Sequence, residues 1–318
     1  MFAKALAGGL LALASLAAQA QGYPSQTVRI IVGFPPGGTT DVIGRLVAQE
    51  LTEALGKAVV VENRPGASGT IGSGLVAKSA PDGHTLLVVS STHGTAPALY
   101  STLPYEEKDL VPAALVATTP YVLVVHPSMA ATNMAQLLAY LKQNPGKVEY
   151  ASSSPGTAQH LAGELVQRMA GVNIVHIPYK GSGALLPDLL AGRVPMMFEN
   201  VAIMTPHIKK GSLRPIAVSS AKRTLLLPDV PTVAETGLAG FEVVGWFALL
   251  APAKTPPEII RRLNAGVNAA IVKPAIVTRF AELGAEPLAG SPDQAAAFIR
   301  GEQDKWGKVI RDAGIKQQ

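Results

Sequence analysis

The sequence predicts an α/β protein built as two units joined by two extended crossings. Short β-branched strands alternate with helix-length amphipathic segments, the pattern of α/β sheets. The alternation starts afresh after His126-Pro127, and the last stretch of chain is helical with no sheet of its own. A length of 318 residues is too great for one comfortable core and fits two domains.

The elements follow in order. Val28 to Val32 is the first strand, closed by Phe34-Pro-Pro-Gly-Gly38. A helix is expected from about Thr40 to Leu55, because Val42, Leu46, Val47, Leu51 and Leu55 recur at helical spacing. Val59 to Glu62 is a second strand, and Pro65-Gly-Ala-Ser-Gly69 leads into another helix. Asp82-Gly83 turns into the strand Thr85 to Ser90. Tyr121 to Val125 is strand-like. In the second unit, Asn133 to Gln143, Thr157 to Ala170 and Ser182 to Ala191 read as helices. Val148 to Ser152, Val172 to Ile177, Val194 to Phe198 and Arg214 to Val218 read as strands. The apolar run Phe241 to Leu250 returns to strand geometry. Helices over Pro257–Ile271, Pro274–Leu283 and Pro292–Ala313 end the chain.

A helical tail has to pack on an existing sheet to bury its apolar faces, and the first unit is its expected platform. Residues 21–122 and 247–318 then form a discontinuous first domain, and residues 123–246 the second. Crossings near 121–126 and 243–251 would serve as hinges.

Composition narrows the function. Hydrophobic residues reach 48%, while charged residues are only 15%, which describes a packed globular chain and excludes a disordered or coiled-coil one. The formal net charge of +5 fits nucleic acid, an anionic membrane surface or a small anionic ligand. The cations are scattered, and the densest group, Lys209, Lys210 and Arg214, has no interleaved aromatics, so no nucleic-acid partner is expected. Cysteine is absent, which removes disulfides, thiolate metal sites and cysteine nucleophiles.

The N-terminus carries an address. Lys4 precedes an apolar run from Ala5 to Ala17, and Ala18-Gln19-Ala20 has the small-x-small form of a signal-peptidase site. That run is shorter than the roughly 20 residues that span a bilayer. Residues 1–20 therefore read as a signal peptide cleaved after Ala20, with export from the cytoplasm.

One feature recurs where chemistry is expected: Gly or Pro, then Ser or Thr, opening a helix directly after a strand. Phe34-Pro-Pro-Gly-Gly-Thr39-Thr40-Asp41, Ser152-Ser-Ser-Pro-Gly-Thr157 and Tyr179-Lys-Gly-Ser182-Gly183 are the three cases. Glycines permit close approach and positive φ. Free N–H groups and the helix dipole favour an anion there. Each loop alone is an ordinary N-cap and turn; one in each unit suggests an anion-binding cleft at the carboxyl ends of the strands.

Enzyme signatures are missing. The chain has no G-x-S-x-G elbow, G-x-x-x-x-G-K-[ST] loop or H-E-x-x-H run, and the spacing in Gly66-Ala-Ser-Gly69-Thr-Ile-Gly72 is not the dinucleotide fingerprint. His160 and Glu164 stand one helical turn apart, which suits a hydrogen bond better than a metal. The other histidines look isolated, and Asp229 and Glu235 read as turn and cap residues. No metal and no cofactor is expected.

At these loops the sequence resembles the Bug (TctC-like) family of extracytoplasmic receptors of tripartite tricarboxylate transporters. The carriers are Tyr23-Pro24, Phe34-Pro-Pro-Gly-Gly-Thr-Thr-Asp41, Glu62-Asn-Arg-Pro-Gly-Ala67 and Pro81-Asp-Gly-His84. They continue through Tyr150-Ala-Ser-Ser153, Gly156-Thr157, His160-Leu161, His176-Ile-Pro-Tyr-Lys-Gly181, Leu227-Pro-Asp-Val-Pro-Thr-Val-Ala-Glu235 and Lys305-Trp306. The resemblance covers essentially the whole chain after the leader. It implies a two-lobed type 2 periplasmic binding protein, or Venus flytrap, that closes about two hinge crossings.

The resemblance further implies a small carboxylate held by backbone amides, hydroxyls and waters. Phe34, Gly37, Gly38, Thr39 and Thr40 would act from one lobe, and Ser152, Ser153, Gly156 and Thr157 from the other. Asp41 matches as well and reads chiefly as a residue that steadies its loop. Ser90, Thr92, His93, Glu199 and Asn200 would read the ligand's distal end, with Phe34 and Phe198 as apolar walls. The family commonly has Gly at Ser154, Asn at Ala96 and Asp at Glu199, departures that bear on substrate identity. The expected partners are a small carboxylate and the permease subunits of the transporter, with the receptor a monomer. The rival readings are a sensor that docks on a signalling receptor, and a hydrolase or isomerase acting on a carboxylate.

Overall fold

The computed structural model describes residues 22–179 and 182–315. The expected leader and Lys180-Gly181 of the third loop lie outside them. Among the described residues, ten strands form one mixed sheet. Five of them are β1 (Val28–Val32), β2 (Val59–Asn63), β3 (Thr85–Ser90), β4 (Leu110–Val125) and β5 (Glu149–Ser152). The others are β6 (Val175–Pro178), β7 (Met196–Asn200), β8 (Arg214–Val218), β9 (Val244–Pro252) and β10 (Glu286–Pro287). Their order is β2-β1-β3-β9-β4-β7-β5-β6, with β8 and β10 both pairing with β4.

β4 joins the two halves of this sheet. Leu110 to Pro120 pair with β9, whereas Tyr121 to Val125 pair with β7, and Val122 to Val125 also with β8. Sequence patterning captures only its last five residues. The missed part contains Pro112, which interrupts a strand pattern because it cannot donate to the ladder. The sheet accommodates it by a register shift between Pro112 and Ala114.

Helix α1 (Thr39–Leu55) shows how sequence becomes packing. Ile43, Val47, Leu51 and Leu55 lie four residues apart and are buried together against Val28, Ile30, Val32 and Leu86. Truncating one such side chain, as in Leu51→Ala, would cost about 2–5 kcal/mol. Helices α2 (Thr70–Ala77), α3 (Thr92–Leu99) and α4 (Met134–Gln143) follow. In the second half, α5 (Ala158–Ala170), α6 (Ser182–Leu190) and α7 (Val201–Lys209) accompany β5, β6 and β7. Sequence patterning missed α3 and α7, each of which carries an internal proline, Pro97 or Pro206.

The tail forms α8 (Pro257–Ala270), α9 (Pro274–Glu282) and α10 (Pro292–Asp312), and β10 gives it a two-residue strand on β4. Helices α8 and α9 bury Ile260, Leu263, Val267 and Phe280 in the same core as β1. Helix α10 spans the molecule instead. Its start packs Ala295 and Ile299 near Trp246 and Leu87, while its end packs Trp306, Val309 and Ile310 with Tyr150, Leu161 and Val166 of the second half. Arg168 and Asp312 form an ion pair across the same junction. Apolar periodicity revealed this helix but not that its stripe serves two sheet halves in succession. No helix among the described residues is long and apolar enough to cross a membrane.

Candidate functional site

A cavity of about 500 Å3 opens at the carboxyl ends of the parallel strands β1, β3, β5 and β7. Such ends are where open α/β sheets bind ligands. Phe34, Pro35, Pro36, Gly38, Thr39 and Thr40 line it after β1, and Ser90, Ser91 and Thr92 after β3. Ser153, Thr157, Ala158 and Gln159 line it after β5, and Glu199, Asn200 and Ile203 after β7. The floor is made by the crossing strands, through Thr119 and Tyr121 of β4 and Gly245 and Phe247 of β9.

The first loop is braced by charge. Gly38 is the N-cap of α1 and has no side chain to satisfy the first amides, so they are not capped from that position. Asp41 turns away from the cavity and is almost fully buried. It accepts hydrogen bonds from the Gly37 amide (2.9 Å), Arg45 Nε (3.0 Å) and Asn63 Nδ2 (2.8 Å), and Asn63 also donates to Phe34 O (3.0 Å). Burial opposes ionisation of Asp41, but these donors and the Arg45 charge outweigh it and hold the carboxyl below its usual range.

The second loop is braced by two imidazoles and a tyrosine, backed by the Glu164 carboxyl. Burial pushes the pKa of that carboxyl up, but its bonds to His160 and Tyr150 hold it below its usual range. The Gly156 amide donates to His160 Nδ1 (3.0 Å), and Ser152 Oγ lies 2.6 Å from His176 Nε2. The two imidazoles stack with centroids 3.7 Å apart, and the Tyr150 hydroxyl donates to Glu164 (2.7 Å). His176, which looks isolated in sequence, is thus part of a cluster. Burial and the neighbouring His160 push its pKa down to about 4, against the opposing pull of Glu164. Gln159 joins this loop to the far end of the cavity. It accepts from the Ser153 amide (3.0 Å) and hydroxyl and donates to Glu199 Oε2 (2.8 Å), while Glu199 Oε1 accepts from the Asn200 amide (2.7 Å).

A Ser–His contact resembles the start of a nucleophile relay, but Ser152 is fully buried and its hydroxyl proton goes to Ser154 O (3.0 Å). Ser152 is not among the residues that line the cavity, so its hydroxyl has no path to attack a molecule bound there. His160 Nε2 faces Glu164 at 3.6 Å. Among the described residues, no group of three or more metal-ligating side chains comes together.

Of the residues singled out in the sequence, Phe34, Gly38, Thr39, Thr40, Ser90, Thr92, Ser153, Thr157, Glu199 and Asn200 face one cavity. Gly37, Asp41, Ser152 and Gly156 stand behind it and hold the loops. His93 departs from the expectation. Ser91 and Thr92 open α3, and the helical rotation to the next residue turns His93 inward, where it stacks on Tyr105 (5.7 Å) with Nδ1 3.2 Å from the hydroxyl. Burial lowers its pKa to about 4. Phe198 is also no cavity wall; it stacks on Phe241 in the core, and Phe247 and Ile203 stand at the cavity instead. Asn200 has a second task, since its side chain caps α7 through the Ala202 amide (2.8 Å).

Sequence reading missed Gln159, Thr119, Tyr121 and Gly245. Gly245 left a signal: a glycine inside an apolar strand marks close approach. It pairs with Thr119, and a methyl there would lie 2.4 Å from Thr119 Oγ1 and 2.9 Å from the Tyr121 hydroxyl. Gln159 gave none, because its role depends on contacts with residues far along the chain.

Known proteins share this architecture. Residues 43–315 match the family described as tripartite tricarboxylate transporter family receptor. BugT of Bordetella pertussis is 43% identical over 317 residues, covering 98% of this chain and 97% of its own. Rpa4515 of R. palustris, solved with adipate, is 38% identical with a TM-score of 0.81, covering 93% of this chain and all of that one. MatC of Rhodopseudomonas palustris, solved with bound malate, is 32% identical with a TM-score of 0.76, covering 91% of this chain and all of that one. The periplasmic binding protein BugD is 35% identical with a TM-score of 0.77, covering 93% of this chain and all of that one. The fold is that of the two-lobed periplasmic binding proteins, and the chain belongs to the tripartite tricarboxylate transporter receptor family.

Proposed function

We propose that this chain, exported and cleaved after Ala20, captures one small carboxylate between its two halves and delivers it to the membrane subunits of a tripartite transporter. The observation that carries the reading is a pair of helix N-termini, α1 and α5, opening on one cavity from opposite halves. Neither N-cap residue spends its side chain on the helix's own amides. Free N–H groups at helix starts suit an anion. The Thr39 hydroxyl faces the same cavity, and among the described residues no lysine or arginine lines it.

One carboxylate would be bound by amides of both loops and the Thr39 hydroxyl, with waters filling remaining gaps at small entropic cost. Contacts with both halves reward only the closed form, with β4 and β9 as the flexing segments. The relatives solved with adipate and malate support the ligand class. A receptor role, not catalysis, fits a cavity beside which the Ser152–His176 contact is sealed in the core.

The test is thermal melting of residues 21–318 against a panel of carboxylates, amino acids and neutral sugars. A ligand at about 100 times its dissociation constant adds roughly 2.7 kcal/mol, a visible rise in midpoint. The expected result is a shift with one carboxylate class. Shifts only with sugars or metal ions would overturn the reading.

A further inference from the structure

At the second loop, the donors of Ser153 are committed inside the chain. Gln159 stands in the first turn of α5, lines the cavity and is almost fully buried. Its side-chain oxygen accepts from both the amide (3.0 Å) and the hydroxyl of Ser153, which lines the same cavity. Its amide nitrogen donates the other way, to Glu199 Oε2 (2.8 Å), and Glu199 Oε1 takes the Asn200 amide (2.7 Å). These neighbours settle which way the carboxamide points. Turned over, it would set N–H against the Ser153 amide and oxygen against a carboxylate. Two donors converging on one oxygen at a helix start is also how a carboxylate oxygen is held. The first loop differs: Asp41, which takes the Gly37 amide, lies behind the cavity and not in it.

We propose that Gln159 is an internal competitor for the ligand: its side-chain oxygen holds the place that the carboxylate takes on the second loop, and binding displaces it. This deepens the carboxylate reading above and rests on it. A carboxylate brings charge, and charge-assisted bonds are roughly twice as strong as neutral ones, so it wins the Ser153 donors from an amide oxygen. The displaced side chain has room in a cavity of about 500 Å3. The competition sets affinity, because only molecules with Gln159 swung out are ready to bind. With about one molecule in ten in that state, apparent affinity falls about tenfold. The return of Gln159 to Ser153 then satisfies the loop as the cargo leaves, which suits a carrier that must let go.

The experiment is calorimetric titration with straight-chain mono- and dicarboxylates of about two to eight carbons. The proteins are wild type, Gln159→Ala, Gln159→Met, Ser153→Ala and the Gln159→Ala/Ser153→Ala double variant, each also melted without ligand. Gln159→Met keeps the volume and removes the acceptor. Both Gln159 variants should bind about tenfold more tightly, yet melt lower without ligand because the bonds of Gln159 are gone. Alone, Ser153→Ala should change affinity little, since it weakens competitor and ligand together. In the Gln159→Ala background it should cost about tenfold. A residue that only braces the loop would instead lower affinity and midpoint together. If both Gln159 variants keep a native circular dichroism spectrum and bind equally or more weakly, the competition is overturned while the carboxylate reading stands. Loss of the native spectrum in both overturns it too. If no carboxylate binds wild type or any variant, both readings fall.

Discussion

The loops that open α1 and α5 look alike in sequence, Gly-Gly-Thr in one and Pro-Gly-Thr in the other, and are held in opposite ways. The first is fixed by an ionised carboxylate, Asp41, shared among Gly37, Arg45 and Asn63. The second is fixed by two stacked imidazoles and a buried tyrosine, with the Glu164 carboxylate bonded to them and not to the loop itself. Both deliver a helix N-terminus to one cavity. A local motif therefore specifies what a loop presents, while partners distant in sequence specify how firmly it is presented.

The two loops should break differently. The largest contrast is expected between their glycines, both at positive φ. A methyl at Gly37 meets nothing within 4 Å, whereas one at Gly156 would lie 2.3 Å from Leu99 Cδ1. Gly37→Ala should cost about 1–2 kcal/mol of backbone strain, and Gly156→Ala about 2–4 kcal/mol once overpacking is added. Urea unfolding of both variants checks this, and equal losses would break the contrast. Next in size is Asp41→Asn, which weakens charge-assisted bonds and should cost about 1.5–3 kcal/mol, together with a tenfold loss of ligand affinity.

The third difference is in pH. In the folded state His176 and His93 titrate near 4 against about 6.5 when unfolded. The unfolded chain then binds more protons between those values, so stability is full above about 6.5 and falls toward 4. Each group contributes at most about 1.4 kcal/mol per pH unit in that window. Asp41 has a lowered pKa, so its contribution is intact above its ordinary value of 3.8 and is lost only as pH falls below that. Melting midpoints should therefore decline in two separate stages. A flat midpoint from pH 7 to 4 would contradict burial of neutral imidazoles at His176 and His93. The smallest effect is expected at the floor. Gly245→Ala should crowd the Thr119 and Tyr121 hydroxyls, weaken binding several-fold and cost about 1 kcal/mol of stability, the low end for overpacking because the neighbours are side-chain hydroxyls, read by titration and melting of the same sample.

Most strands and helices were legible because their apolar period is regular, as in β1, β3 and α1. Elements carrying proline were hidden, since Pro97, Pro112 and Pro206 read locally as breaks that the tertiary structure absorbs. In the cavity, residues on the glycine-rich loops were legible because loops carry their own local chemistry. Thr119, Tyr121 and Gly245 were not, for they lie inside strands and face the cavity only through the pairing of β4 with β9. His93 misled because being adjacent to Thr92 says nothing of direction once a helix has begun.

The central claim is that one anion is clamped by both loops at once. Its most direct test is titration of the preferred carboxylate into wild type, Thr39→Val, Thr157→Val and the double variant. The two substitutions sit on opposite halves. Thr39→Val removes a hydroxyl at the cavity, and Thr157→Val removes the hydroxyl that holds the second loop through Ser154 O (2.8 Å). Each should cost at least tenfold in affinity, and their effects should be non-additive, because loosening either loop releases the closed form. A wild-type affinity in either single variant would place the ligand on one loop alone and contradict the clamp.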